Sequence, residues 1–151
     1  MLTPILKTDT SLAPVFLRAS LGVVIFAHGA QKVLGLFGGP GFSKTIEIFR
    51  TQMGFPTWMT VLLMVIEFFG SLGLIFGFLT RLCALGIGTS IAVCAYMNHL
   101  QNGFFMNWFG KQKGEGFEYH ILVLGIALAL IVKGGGFLSF DRTLVKSKRT
   151  K

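Results

Sequence analysis

Residues 56–79 read PTWMTVLLMVIEFFGSLGLIFGFL, and Glu67 is the only ionisable side chain among them. A bilayer core about 30 Å thick is crossed by roughly 20 apolar residues in an α-helix. The stretch reaches that length and lacks the period-two alternation of a strand. Hydrocarbon offers no water to free backbone N–H and C=O groups, so a helix is the form such a segment takes. Pro56 suits its first turn, where a missing N–H removes no bond.

Working outward, similar segments cover about Pro14 to Leu36, Arg81 to Leu100 and Phe117 to Lys133, the last at the short end of the spanning range. Gly38-Gly39-Pro40-Gly41, Thr80-Arg81 and Gly134-Gly135-Gly136 punctuate them. Only 13% of the 151 residues are charged, 52% are hydrophobic, and mean hydropathy is +0.69. Soluble domains carry about twice that charge. The expected fold class is all-α: an integral membrane four-helix transmembrane bundle with a short interfacial helix after the first span. The organisation is a cytoplasmic N-terminal segment at 1–13, a four-span membrane domain at 14–144 and a basic cytoplasmic tail at 145–151. Lys7 precedes an apolar stretch, but Arg18 interrupts it and no convincing cleavage site follows, so the first helix is expected to be retained.

Between the first two spans, Phe42, Ile46, Phe49 and Met53 recur at helical spacing, with Lys44, Glu47 and Arg50 elsewhere on the wheel and Ser43 placed to cap. This predicts a short helix, lying on the membrane surface or packed on the bundle from the water side. Gly70, Gly73, Gly77, Gly86 and Gly88 are small positions at which helices in lipid can approach closely.

The net charge of +8 does not indicate nucleic acid. Much of it lies in Arg142, Lys146, Lys148, Arg149 and Lys151, directly after a hydrophobic segment, as on a flank facing anionic lipid. No zinc-finger or RNA-binding signature accompanies it. With Lys7, Arg81 and Lys133, these residues outweigh Lys32, Lys44, Arg50, Lys111 and Lys113 on the opposite side, which predicts both termini in the cytoplasm.

Charge inside a span costs several kcal/mol unless it is paired or hydrated. Such groups here are Arg18, His28, Lys32, Glu67, His99, Glu118 and His120. At about 1.5 Å per residue, Arg18 lies about 6 Å in from the inner side, His28 about 21 Å in, and Glu67 about 17 Å below the outer face. His28, Lys32, His99 and Glu118 therefore fall in the outer half above Glu67, and Arg18 is placed to reach upward to Glu67. One reading is a polar pocket that binds a small molecule or relays protons, with Glu67 and His28 as candidate catalytic residues and Arg18, Lys32, His99 and Glu118 as candidate ligand-binding residues. The other is structural: an Arg18–Glu67 pair pins helices while Lys32, His99 and Glu118 are interfacial groups. Glu118-Tyr119-His120 points its two candidates to different faces, and no His or Glu pair shares a helix in register for metal, so no metal site is expected. Cys83 and Cys94 lie about 16 Å apart along one helix, too far for a disulfide and suited to small buried hydrophobes.

Leu17-Arg18, His28-Gly29-Ala30-Gln31-Lys32, Glu67, Gly77-Phe78-Leu79-Thr80-Arg81, His99, Glu118-Tyr119 and Leu138-Ser139-Phe140-Asp141-Arg142 together resemble the DoxX family, from about residue 14 to 144. The resemblance implies a four-helix protein of the bacterial inner membrane. Family members are linked to respiratory or sulfur oxidoreduction, including membrane subunits of thiosulfate:quinone oxidoreductase, and to oxidative-stress complexes. It marks Arg18, His28, Lys32, Glu67, Arg81, His99 and Glu118. The function this suggests is a membrane subunit of an electron-transfer system with a quinone-like molecule in the outer half of the bundle. His28 or His99 would hold a carbonyl, and Glu67 or Glu118 would handle the proton. The alternative is a membrane scaffold or small-solute carrier. Expected partners are the lipid bilayer and a redox partner protein, with a homo-oligomer left open.

Overall fold

The computed structural model describes residues 6–149, and side chains as far as Val145. Six helices and no strand occur among the described residues. They are α1 (Ala13–Leu34), α2 (Gly41–Met53), α3 (Thr57–Phe76), α4 (Thr80–Asn102), α5 (Glu118–Lys133) and α6 (Phe140–Arg149). Two of them carry wider π turns, at Ile66–Gly70 in α3 and Ala95–His99 in α4.

α1, α3 and α4, with 22, 20 and 23 residues, are long and apolar enough to cross a membrane. α5 has 16 residues, about 24 Å of rise, and falls short of the hydrocarbon thickness on its own. α2 occupies the predicted short-helix position, but Ser43 lies inside it and Pro40 precedes its first residue, so Ser43 is not the cap. Of the basic tail, Lys146, Lys148, Arg149 and Lys151 lie outside the described side chains.

α1, α3, α4 and α5 share one core: Leu21 and Ile25, Leu74, Ala84, Ile87 and Ile91, and Val123, Ala127 and Leu130. Small residues draw the helices together: a Cβ on Gly88 would stand 3.2 Å from that of Ala127. Between lipid-facing helices such packing, not release of water, supplies the attraction. The outward faces carry Phe16, Val23, Phe69, Leu128 and Val132, all well exposed, as suits a surface solvated by hydrocarbon.

The helices alternate in direction, so the molecule has two ends. At the termini end the segment before α1 ties to α4, α5 and the α5–α6 link: Asp9 N donates to Lys133 O at 2.8 Å, Phe137 N to Ser11 O at 3.1 Å, and Arg81 to Lys7 O and Val132 O at 3.0 Å each. α3 stops at Gly77, whose φ of 68° is left-handed and favours glycine. Leu79, also left-handed at φ 49°, is held there by the Asp141 carboxylate, which accepts from Leu79 N at 2.7 Å and Thr80 N at 2.9 Å. Asp141 thus caps α4 from another helix.

Arg18 belongs to this same end. It is 3% exposed and donates to backbone carbonyls alone: Gly135 O at 2.9 Å, Leu74 O at 3.0 Å, Ile75 O and Leu138 O. These are carbonyls around the end of α3 and the α5–α6 link, where helical hydrogen bonding runs out; Leu74 O also accepts from Gly77 N at 3.1 Å. The predicted Arg18–Glu67 pair does not form. Helical side chains lean toward their helix N-terminus, which aims Arg18 down into the termini end and away from Glu67.

Candidate functional site

The same lean brings a different cation to Glu67. Lys32, near the far end of α1, points back along the helix, and its Nζ lies 2.6 Å from Glu67 Oε2. Glu67 is 7% exposed, and the Lys32 side chain is 21% exposed. Gly29, one turn below Lys32, makes the meeting possible: a Cβ there would lie 2.8 Å from Phe68 N and 2.9 Å from Glu67 C. α1 and α3 therefore touch backbone to backbone at the level of Glu67. Glu67 also sits in a π turn, a distortion often found at functional positions.

His28 lies four residues before Lys32, on the same side of α1. Its ring is exposed at the bundle surface and falls within electrostatic range of both Lys32 and Glu67. Tyr119 and Cys94 sit within range of Glu67 from α5 and α4. The Tyr119 hydroxyl is buried with no hydrogen-bond partner.

An apolar groove of about 490 Å³ lies between α3 and α4, lined by Ile66, Phe69, Gly73, Leu82, Cys83 and Gly86 among others. Val65 and Ile66 line it but Glu67 does not, and it runs toward the termini end, not into the far half where the sequence reading places the pocket. The groove is open to the lipid side.

The other predicted ligand-binding residues stand apart from Lys32 and Glu67. Glu118 holds the 103–117 loop: its Oε1 accepts from Met106 N at 2.9 Å and Trp108 Nε1 at 3.3 Å. His99 Nδ1 lies 2.9 Å from Glu115 O of the same loop, and its ring centroid is 4.2 Å from that of His120. Arg18 is committed to carbonyls at the other end. Of the predicted site, then, the structure gathers Lys32, Glu67 and His28.

The DoxX family profile matches residues 13–100, more than half of the chain. The chain belongs to the DoxX family. This membrane protein is also similar to two relatives whose full lengths it nearly spans. The Bacillus subtilis (strain 168) protein named "Putative oxidoreductase CatD" is 28% identical over 138 residues, 91% of each chain. The Escherichia coli (strain K12) protein named "Inner membrane protein YqjF" is 28% identical over 129 residues, 85% of this chain and 89% of that one. No solved structure matches. The matched DoxX region contains Arg18, His28, Lys32, Glu67, Cys94 and His99, and ends before Glu118.

The sequence places His120 among the ionisable groups inside spans but gives neither it nor Tyr119 a site role. A buried polar atom without a partner is visible only once the neighbouring helices are in place. Asp141 is missed as a cap because its partners lie more than sixty positions away in the chain.

Proposed function

We propose that this DoxX protein is a multi-pass subunit of the bacterial inner membrane with four spans, α5 being completed by the aromatic segment before it, and with both termini in the cytoplasm. We further propose that it serves an electron-transfer oxidoreductase by binding a quinone-like molecule against Lys32 and Glu67. The observation that carries this reading is the Lys32–Glu67 pair itself: a lysine and a glutamate in contact between two apolar helices long enough to cross a membrane.

Each part has a chemical task. The ammonium of Lys32 donates to a carbonyl of the head group, and a charge-assisted bond of this kind is worth about 1.5–3 kcal/mol. Glu67 gives and takes the proton that accompanies reduction. His28, exposed beside them, offers a second donor or acceptor from the lipid side. The groove walls suit an apolar ring and tail. Electrons come from a partner protein, as no cofactor-carrying motif is visible in the sequence. The relationship to the relative named "Putative oxidoreductase CatD" and to the one named "Inner membrane protein YqjF" supports the class and the location.

A second reading, a scaffold or small-solute carrier, draws support from Arg18, whose guanidinium ties α1, α3 and the α5–α6 link together without turning a donor toward a ligand. Mass spectrometry of the lipids extracted from purified full-length protein separates the two. Copurified quinone is the expected result; a protein that carries phospholipid alone favours the scaffold.

A further inference from the structure

We propose that Cys94, His99 and His120 form a binding site for one thiophilic transition-metal ion of the Zn²⁺ or Cu⁺ class. Their candidate ligand atoms, one from each residue, all lie within 4.8 Å of one another. A thiolate with two imidazoles is a donor set that selects zinc or cuprous ions over hard cations such as Mg²⁺ or Ca²⁺. The inference is independent of the proposed function, which assigns its steps to Lys32, Glu67 and His28.

The backbone explains how the ligands meet. In a regular α-helix residues five apart point about 140° away from each other, at about 100° per residue. Cys94 and His99 are five apart in sequence, and the π turn Ala95–His99 lies between them. Its i to i+5 hydrogen bonding widens the turn and returns both side chains to one face. α5, packed against α4, supplies His120 across the interface.

Two further observations point to a ligand. His120 is 5% exposed, and its Nδ1 is buried with no hydrogen-bond partner. A buried ring nitrogen left without a partner is unfavourable, and coordination through Nδ1 would supply that partner. His99 already has its outer partner: Nδ1 lies 2.9 Å from the carbonyl oxygen of Glu115. That contact makes Nδ1 the protonated nitrogen and leaves the lone pair of Nε2 for a metal, the usual arrangement of a ligating histidine. The half-exposed His99 stands beside the 103–117 loop, which gives an ion a way in from water at the far end. Binding requires the Cys94 thiol to give up its proton to solvent as the metal–sulfur bond forms.

The test uses the full chain in detergent, reduced and stripped with chelator, then titrated with Co²⁺ as a spectroscopic probe. The expected result is one ion per chain with a thiolate-to-cobalt charge-transfer absorption, displaced by Zn²⁺. In parallel, Cu⁺ is offered in competition with a cuprous chelator. Uptake of Cu⁺ alone also supports the site and assigns it to copper. Cys94→Ser should abolish the charge-transfer absorption, and Cys83→Ala should leave it intact. His99→Ala, at the half-exposed position, should weaken binding by at least about tenfold, since loss of even an outer partner costs about 10–100-fold. Melting curves accompany every variant, and His99→Ala carries the test if Cys94→Ser does not fold. Failure of the wild-type chain to take up any of the three ions overturns the site, as does unchanged affinity in folded Cys94→Ser or His99→Ala.

Discussion

Lys32 of α1 and Glu67 of α3 meet at 2.6 Å between Nζ and Oε2, one turn above the backbone contact at Gly29. The two ends of this pair are unequal. Lys32 lies within a turn of the end of α1, and its side chain keeps 21% exposure, so it can turn to the membrane surface when freed. Glu67 is 7% exposed and has no such exit. Breaking a fully buried pair from one side costs about 3–5 kcal/mol. Lys32→Met should approach that loss, Glu67→Gln should cost clearly less, and Lys32→Met with Glu67→Gln should recover much of the first. Thermal melts of the three variants in detergent check the order.

Arg18 and Glu67 sit at different levels and share no partner. Arg18→Met leaves several carbonyls at the termini end without a donor and should lower stability by at least about 3 kcal/mol, at roughly 1–3 kcal/mol for each unsatisfied group. Sites that share no partner are additive to within about 0.5 kcal/mol. Adding Glu67→Gln to Arg18→Met should therefore give no rescue. A coupling energy well above that limit would mean that the two side chains do interact.

Gly29 is where α1 and α3 touch. Gly29→Ala forces a Cβ to 2.8 Å from Phe68 N, so the helices must separate. The expected loss is about 1–3 kcal/mol, the usual range for overpacking. The shift should also loosen the Lys32–Glu67 pair, so substitution at Gly29 should weaken ligand binding without touching either charged residue. Melting and binding measured on the same preparation test both parts.

Asp141 holds the start of α4 through Leu79 N and Thr80 N. Asp141→Ala removes that cap and should cost about 1–2 kcal/mol. Asp141→Asn keeps one acceptor and should fall between the two. Faster hydrogen exchange at Leu79 and Thr80 is the local signature to look for.

Much of this fold is legible because lipid simplifies the problem. A run such as residues 56–79 has one low-cost form in a bilayer, and the predicted limits of α1, α3, α4 and α5 lie within about three residues of the observed ones. Depth arithmetic also puts Lys32 and Glu67 in one region. It assigns Glu67 the wrong cation because it counts rise along the axis and ignores lean: Arg18 and Lys32 both tilt toward the start of α1, which carries one away from Glu67 and the other onto it. The Cys94–His99–His120 cluster is hidden for a different reason. Register arguments assume 3.6 residues per turn, and the π turn at Ala95–His99 breaks that period where the ligand spacing would be read. The 103–117 loop network around Glu118 and the helix α6 rest on contacts between segments far apart, which no local pattern announces.

The most direct test of the Lys32–Glu67 site is the affinity of a short-chain quinone for wild-type protein and for Glu67→Gln, measured by titration on samples with matched melting behaviour. Saturable binding to the wild type, weakened about tenfold or more in Glu67→Gln, is the predicted result: Lys32, freed of Glu67, turns to the membrane surface and its charge-assisted hydrogen bond to the head group is lost, and about 1.4 kcal/mol, less than one such bond, is a factor of ten. Equal affinity in the two proteins, or no saturable binding to the wild type, would contradict a ligand role for the pair and leave it as a strut between α1 and α3.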